Sequence, residues 1–386
     1  MLKLGFSATN PCHLYPLAQA ISEFERSVTY YSGYPRWRLR PPYPAHLRFH
    51  SFRTLITYSV LRIPERLRPK SRSLFLWQDR GFDRWVGQHL DFHDFIHAMP
   101  GQALATFRCA RALGIRTALN HATGPSRHWV QIMAQEYKRA GIDIARMTVY
   151  DDSYWARETE EYRLADLHCV ASTVVRDQLL ECGIPPEKIW VVPYGASPDI
   201  FFPPSEKRFD SFRILFAGQL TLRKGIATLL RALSGLHGQR WIVDFFGAVS
   251  KEVHKDLAGY QGRIPIQFHG AVSQATLAEV MRRSSVLVLP SLEEGFGLVV
   301  PQALASGTPC IVSDRVGAKD LISHRENGSI FSVSNPSALA AELEFWEKQR
   351  VIVRGDYSWR GPARQLISLS EEALMPAGVT SFPPMS

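Results

Sequence analysis

The sequence predicts an α/β fold of two domains, each a parallel sheet flanked by helices, and three observations carry that expectation. Short, continuous apolar runs alternate with stretches of helical spacing along the chain, as strands buried on both faces do. Two of those runs end in glycine-punctuated loops that lead straight into helices, which is where α/β folds bind charged ligands. A stretch at residues 198–208, with Pro203-Pro204 inside it, separates two sets of such units.

Taken in order, the first set has strand-like runs at Lys3–Ser7, Phe95–Ala98, Thr117–Asn120, His168–Ala171 and Trp190–Val192. Residues 47–63 can be written as a helix with apolar residues on one side, and the Asp151-Asp152 pair is expected to cap a helix starting near Tyr154. The second set has strands at Phe212–Ala217, Trp241–Phe246, Ile264–His269, Val286–Leu289 and Cys310–Ser313, with helical spacing at 226–233 and 298–306. A chain of 386 residues, 45% hydrophobic and 21% charged, is long enough for two ordinary cores. The expected domains are 1–200 and 201–356, Rossmann-like and with a ligand cleft between them, followed by 357–386.

Composition narrows the function. The five cysteines, Cys12, Cys109, Cys169, Cys182 and Cys310, lack metal-ligand spacing and read as reduced thiols of a cytosolic protein. His168-Cys169 reads as packed strand. No run approaches the length of a membrane span, and neither a span nor a signal peptide is expected. Net charge is +9, and residues 36–72 hold ten Arg or Lys against Glu65 alone, so the remainder is balanced. Trp37, Tyr43, Phe49, Phe52 and Tyr58 are interleaved there. Such a segment suits an anionic membrane surface or a phosphorylated acceptor. It is embedded in no recognisable nucleic-acid module, and no nucleic-acid partner is expected.

The two loops carry the chemistry. Gly218-Gln219-Leu220-Thr221-Leu222-Arg223-Lys224-Gly225 lies between a strand and a helix. Arg223 can fork hydrogen bonds onto phosphate oxygens, and Lys224 adds a compact charge. Cations at a helix start oppose its dipole, which favours an anionic ligand. Neither dinucleotide-binding nor P-loop spacing is present, which disfavours hydride transfer and P-loop kinases. The second loop, Pro290-Ser291-Leu292-Glu293-Glu294-Gly295-Phe296-Gly297, also opens a helix. Glu294 can there accept hydrogen bonds from a polyol such as a sugar, while a solvated Glu293-Glu294 pair on an ordinary turn is the structural alternative.

These loops, about 70 residues apart, and their order resemble the nucleotide-sugar-dependent glycosyltransferases of family four, also called group 1. Pro193-Tyr194-Gly195, Val316-Gly317-Ala318-Lys319-Asp320-Leu321-Ile322 and Tyr357-Ser358-Trp359 extend the resemblance from about residue 90 to the end. The resemblance implies a GT-B fold: two Rossmann-like domains facing across a cleft, with a C-terminal helix crossing back to the first. It implies a catalytic set of Glu294, Arg223, Lys224 and His121, the two cations on the diphosphate and Glu294 on the donor sugar. His121, in Asn120-His121-Ala122-Thr123-Gly124, matches a short histidine motif of the family. Gly218, Gln219, Phe296, Gly297, Leu298, Val299 and Gln302 complete the donor side by resemblance, and His13 and His97 are acceptor-side candidates. The family often has Arg where Gln219 stands, and a second, ribose-binding glutamate where Gln302 stands. The amide oxygen of Gln302 still accepts a hydrogen bond.

By the same resemblance, the activity is transfer of a sugar with retained configuration from a UDP- or GDP-linked donor, with no cofactor and no metal. The acceptor is a glycan or a lipid-linked molecule of cell-envelope or exopolysaccharide synthesis. The location is cytoplasmic, peripheral on the inner face of the membrane. No Asp-x-Asp stands at a strand end to hold a metal-bound diphosphate. The alternatives are an epimerase of the same fold, for which no carboxylate pair is evident, and a non-catalytic nucleotide-sugar-binding protein.

Overall fold

The computed structural model describes residues 1–44, 46–143, 150–207, 210–237 and 240–375. Arg208, at the end of the expected linker, and the tail from 376 onward lie outside the described residues. Seven strands, β1 (Lys3–Ala8), β2 (Ser27–Ser32), β3 (His46–Phe49), β4 (Phe95–Ala98), β5 (Arg116–His121), β6 (Leu167–Val170) and β7 (Ile189–Val191), form one sheet. Its order is β3-β2-β1-β4-β5-β6-β7. Six more, β8 (Phe212–Ala217), β9 (Trp241–Phe246), β10 (Ile266–Gly270), β11 (Val286–Leu289), β12 (Cys310–Ser313) and β13 (Gly328–Phe331), form a second sheet, ordered β10-β9-β8-β11-β12-β13. The pairings of β8 with β9 and β11, and of β11 with β12, are parallel.

The chain divides into two compact units. The first comprises Met1–Asn120, Arg157–His168 and the segment from Arg360 onward. Its core includes Leu4, Phe6, Phe95 and Ile96, all shut from solvent. Helix Ser71–Gln88 packs on helix Leu104–Ala112 through Phe82, Val86, Phe107 and Ala110. That second helix has no capping side chain of its own. Glu161 supplies one, accepting from the N–H groups of Gly101 (2.6 Å), Ala103 (3.0 Å) and Leu104 (3.1 Å). Asp83 accepts from Ala105 at 2.8 Å and Thr106 at 2.9 Å. Arg157 pairs with both carboxylates. The C-terminal helix Arg360–Leu374 belongs to this unit and lies on helix Leu14–Ser22, with ion pairs Arg26–Glu371 (2.8 Å) and Arg360–Glu23 (3.7 Å) nearby.

The second unit comprises His121–Ala156 and Cys169–Trp359. Helix Ile226–Ser234 buries Ile226, Leu229, Leu230 and Leu233 and packs against helix Pro336–Glu347, which starts on the Asn335 side chain with proline in its first turn. The strand order reverses between β8 and β11, so the loops leaving these neighbours, 218–225 and 290–298, flank the switch point where α/β sheets take ligands.

Strands β4, β8, β9, β11 and β12 have the expected bounds, and five others fall within two residues of expectation. Three strands were not expected: β2, β3 and β13. The single helix expected over 47–63 is corrected. His46–Phe49 pairs with β2 as an outer strand, and helix Phe52–Val60 follows. Periodicity alone reads through this change, because the apolar positions of the strand continue the phase of the helix. Asp151, rather than the Asp151-Asp152 pair, caps helix Asp152–Leu164, its Oδ1 accepting from the N–H of Tyr154 at 2.9 Å.

Candidate functional site

The site is built on the two loops of the second unit. After β8 the chain turns at Gly218, φ 141°, whose N–H donates to Phe246 O at 2.8 Å. It then forms a tight turn over Leu222–Lys224 that ends at Gly225, φ 69°, the start of helix Ile226–Ser234. A Cβ on Gly225 would stand 1.9 Å from Pro290 O, so glycine is what lets this turn lie against the end of β11. The main chains are tied there as well, Leu292 N–H donating to Arg223 O at 2.8 Å.

That contact sets the four charges of the site side by side. Arg223 donates to the carbonyl of Glu293 at 3.2 Å and to its carboxylate at 3.3 Å, and lies 3.6 Å from the Glu294 carboxylate. Lys224 is hydrogen-bonded to the same Glu294 oxygen. Glu293 is only 3% exposed, and burial raises its pKa, with Arg223 opposing and Glu294 reinforcing the shift. Burial works against the charge of Arg223, yet the two glutamates hold its pKa above the ordinary value. The unfavourable position of two cations at a helix start is thus offset from inside the protein. Tyr137, from helix Ser126–Arg139, bears on the same guanidinium, and burial and Glu252 push its hydroxyl above the usual range.

The second loop is held from beneath. Glu294 N–H donates to Arg315 O (3.2 Å), Gly317 N–H to Glu294 O (2.9 Å) and Ala318 N–H to Phe296 O (2.8 Å). Ser172 accepts from Val175 N–H as the cap of helix Thr173–Glu181 and donates to Gly295 O at 2.7 Å. Thr173 bonds the Asp320 carboxylate through its N–H (2.7 Å) and hydroxyl (2.6 Å). Gly297, φ 94°, leads into helix Val299–Ala305. Phe296 is buried against Tyr194, ring centroids 4.9 Å apart.

The structure brings together most of the residues singled out in the sequence. Arg223, Lys224 and Glu294 are half-buried neighbours, Gln219 and Leu298 are exposed, and Val299 and Gln302 are half-buried on the short helix. His121 is buried, and its carbonyl accepts from Tyr194 Oη at 3.4 Å. The chain following it crosses the second loop: a Cβ on Gly295 would stand 2.4 Å from Ala122 O.

His13 and His97 are the acceptor-side candidates read in the sequence. Both are buried in the first unit, and burial lowers each pKa to about 3, so both rings are neutral. His97 stacks on Phe6 at 4.9 Å and meets Asn120 Nδ2 at 3.1 Å. Sequence reasoning missed Glu293, Ser172 and Thr173 as organisers of the site. The signals were present: an acid in the loop that leaves a buried strand, two cations needing counter-charge, and a Ser-Thr pair at a helix start.

Residues 199–361 match the family described as glycosyl transferases group 1. The chain is 30% identical over 257 residues to an uncharacterised glycosyltransferase of Methanocaldococcus jannaschii, covering 58% of this chain and 66% of that protein. It is 31% identical over 208 residues to the D-inositol 3-phosphate glycosyltransferase of Paenarthrobacter aurescens, covering 49% and 51% of the two chains. The chain therefore spans about half to two thirds of the length of these relatives. The structure of HepE from Anabaena in complex with UDP and glucose superposes with a TM-score of 0.63 over 96% of this chain and 95% of HepE. At 14% identity that likeness is one of fold. With its two parallel sheets and its paired loops, the chain has the GT-B fold, and it is over residues 199–361 that it matches the group 1 glycosyltransferases.

Proposed function

We propose that the protein is a retaining, metal-independent hexosyltransferase that moves a sugar from a nucleoside diphosphate sugar to a glycan or lipid-linked acceptor. The observation that carries this reading is the Arg223–Lys224 turn, tied by a 2.8 Å main-chain bond to the loop bearing Glu293 and Glu294. A diphosphate entering there replaces Glu294 as partner of the cations. They then stabilise the charge that develops on the leaving nucleotide as the glycosidic bond breaks, usually the largest catalytic contribution. Glu294, released, accepts from hydroxyls of the donor sugar, with His121 as a further donor-sugar contact and Gln302 on the ribose. UDP is the preferred nucleotide, supported by the HepE complex. The reading places the protein in cell-envelope or exopolysaccharide synthesis, in the cytoplasm and peripheral to the inner face of the membrane.

The test incubates the full chain with UDP- and GDP-linked sugars and follows nucleoside diphosphate release, with and without cell-envelope extract and with and without EDTA. Release that needs the extract and ignores EDTA is expected. Epimerised donor without release would make the protein an isomerase, and binding with neither would make it a binding protein.

A further inference from the structure

Helix Phe52–Val60 is built inside out. It buries Thr54 and Thr57, 3% and 0% exposed, and turns Phe52, Leu55 and Tyr58 to solvent at 66%, 46% and 40%. Residues three apart share a helix face, so these three form one outward apolar stripe. Trp37, Ile63 and Leu67, large and exposed, lie on the segments before and after it. Leu55, Tyr58 and Leu61 also line a groove of about 440 Å³ with Tyr34, and Arg38 and Arg62 stand at that groove. An apolar face of this kind on a soluble surface marks a binding surface.

Charge decides what covers it. Residues 36–72 hold one acid; Arg38 and Arg62 share the groove with the apolar side chains, and Arg36, Arg66 and Lys70 are exposed on the segments before and after the helix. A second copy of the chain would set this basic surface against itself, a like-charge contact that opposes association. The occupant must be apolar within and negative at its rim. An anionic bilayer has that order of layers. Among the described residues no helix is long and apolar enough to cross a membrane, and the contact is with the bilayer interface.

We propose that the face formed by Phe52, Leu55 and Tyr58 enters the interface of an anionic bilayer, with Arg38 and Arg62 beside it and Arg36 and Arg66 of the flanking segments at headgroup level. The proposal rests on the peripheral location in the reading above and gives it a physical device. Its test uses no sugar donor, so its failure is distinguishable from failure of the transferase reading.

The full chain is sedimented with vesicles of phosphatidylcholine alone and of phosphatidylcholine with phosphatidylglycerol. The expected result is sedimentation with the anionic vesicles only. The double variant Phe52→Ser with Leu55→Ser should partition at least about tenfold less, since two apolar side chains no longer enter the interface. Arg62→Glu with Arg66→Glu should lose at least about as much. All four side chains are exposed or of the outer face, and unchanged circular dichroism and melting show that the variants fold. The proposal is overturned if the wild type stays in the supernatant with anionic vesicles, or if the Phe52/Leu55 variant sediments like the wild type. A vesicle-free dimer that the same variant abolishes would also overturn it, giving the face to a second copy.

Discussion

The two basic regions of this chain handle charge in opposite ways. In the second unit Arg223 and Lys224 are half-buried, each bonded to a glutamate, on a turn fixed by main-chain hydrogen bonds. In the first, several cations of residues 36–72 stand exposed beside exposed apolar side chains. A cation already paired yields only to a ligand that replaces its partner in place, so the first arrangement selects by geometry. An exposed, unbalanced surface responds to the sign of whatever approaches and weakens with salt. On the functions proposed above, the same residue types serve recognition in one unit and adhesion in the other.

The contrast is broken most directly through Gly225. Its φ of 69° and the 1.9 Å approach of a Cβ to Pro290 O mean that Gly225→Ala must move backbone against backbone. A loss of about 2–4 kcal/mol, read by thermal melting, and loss of nucleotide binding are expected. Leu67→Ser, in the exposed region, should change stability by less than about 0.5 kcal/mol. Equal effects would mean that the two regions are not differently built.

Glu293→Gln sharpens the contrast through pH. Burial raises the carboxyl of Glu293, with Arg223 and Lys224 opposing and Glu294 reinforcing. Because its folded pKa lies above the unfolded one, its contribution to stability is complete below the ordinary glutamate range and is lost as pH rises through the raised value. The variant has no such loss. Its melting temperature relative to wild type should therefore climb from acid to neutral pH. A flat difference would remove Glu293 from the account. The smallest effect is expected at Gln302, where Gln302→Ala should weaken donor binding roughly two- to tenfold and Gln302→Glu should retain it. Unchanged affinity in both variants would end the ribose role.

Much of this was legible before the structure. β8, β9, β11 and β12 are mostly apolar runs, as strands covered on both faces are. Gly218, Gly225, Gly295 and Gly297 marked where loops approach closely. Short strands with polar letters were not legible: β2 reads Ser-Val-Thr-Tyr-Tyr-Ser yet is almost wholly buried, and β13 is four residues behind a turn. The outward face of helix Phe52–Val60 was also hidden, because its periodicity shows that one side is apolar but not which side meets water. Glu293 was hidden for a related reason, since burial of an acid depends on a cation contributed by a loop about 70 residues away.

The central claim is that Arg223 and its neighbours read a nucleoside diphosphate. Calorimetric titration of UDP into the wild type, Arg223→Ala and Arg66→Ala tests it most directly. The account predicts binding by the wild type, a loss of roughly 10- to 100-fold in Arg223→Ala, as for one charge-assisted contact, and no change in Arg66→Ala. UDP binding that survives Arg223→Ala undiminished, or that falls equally in Arg66→Ala, would contradict it.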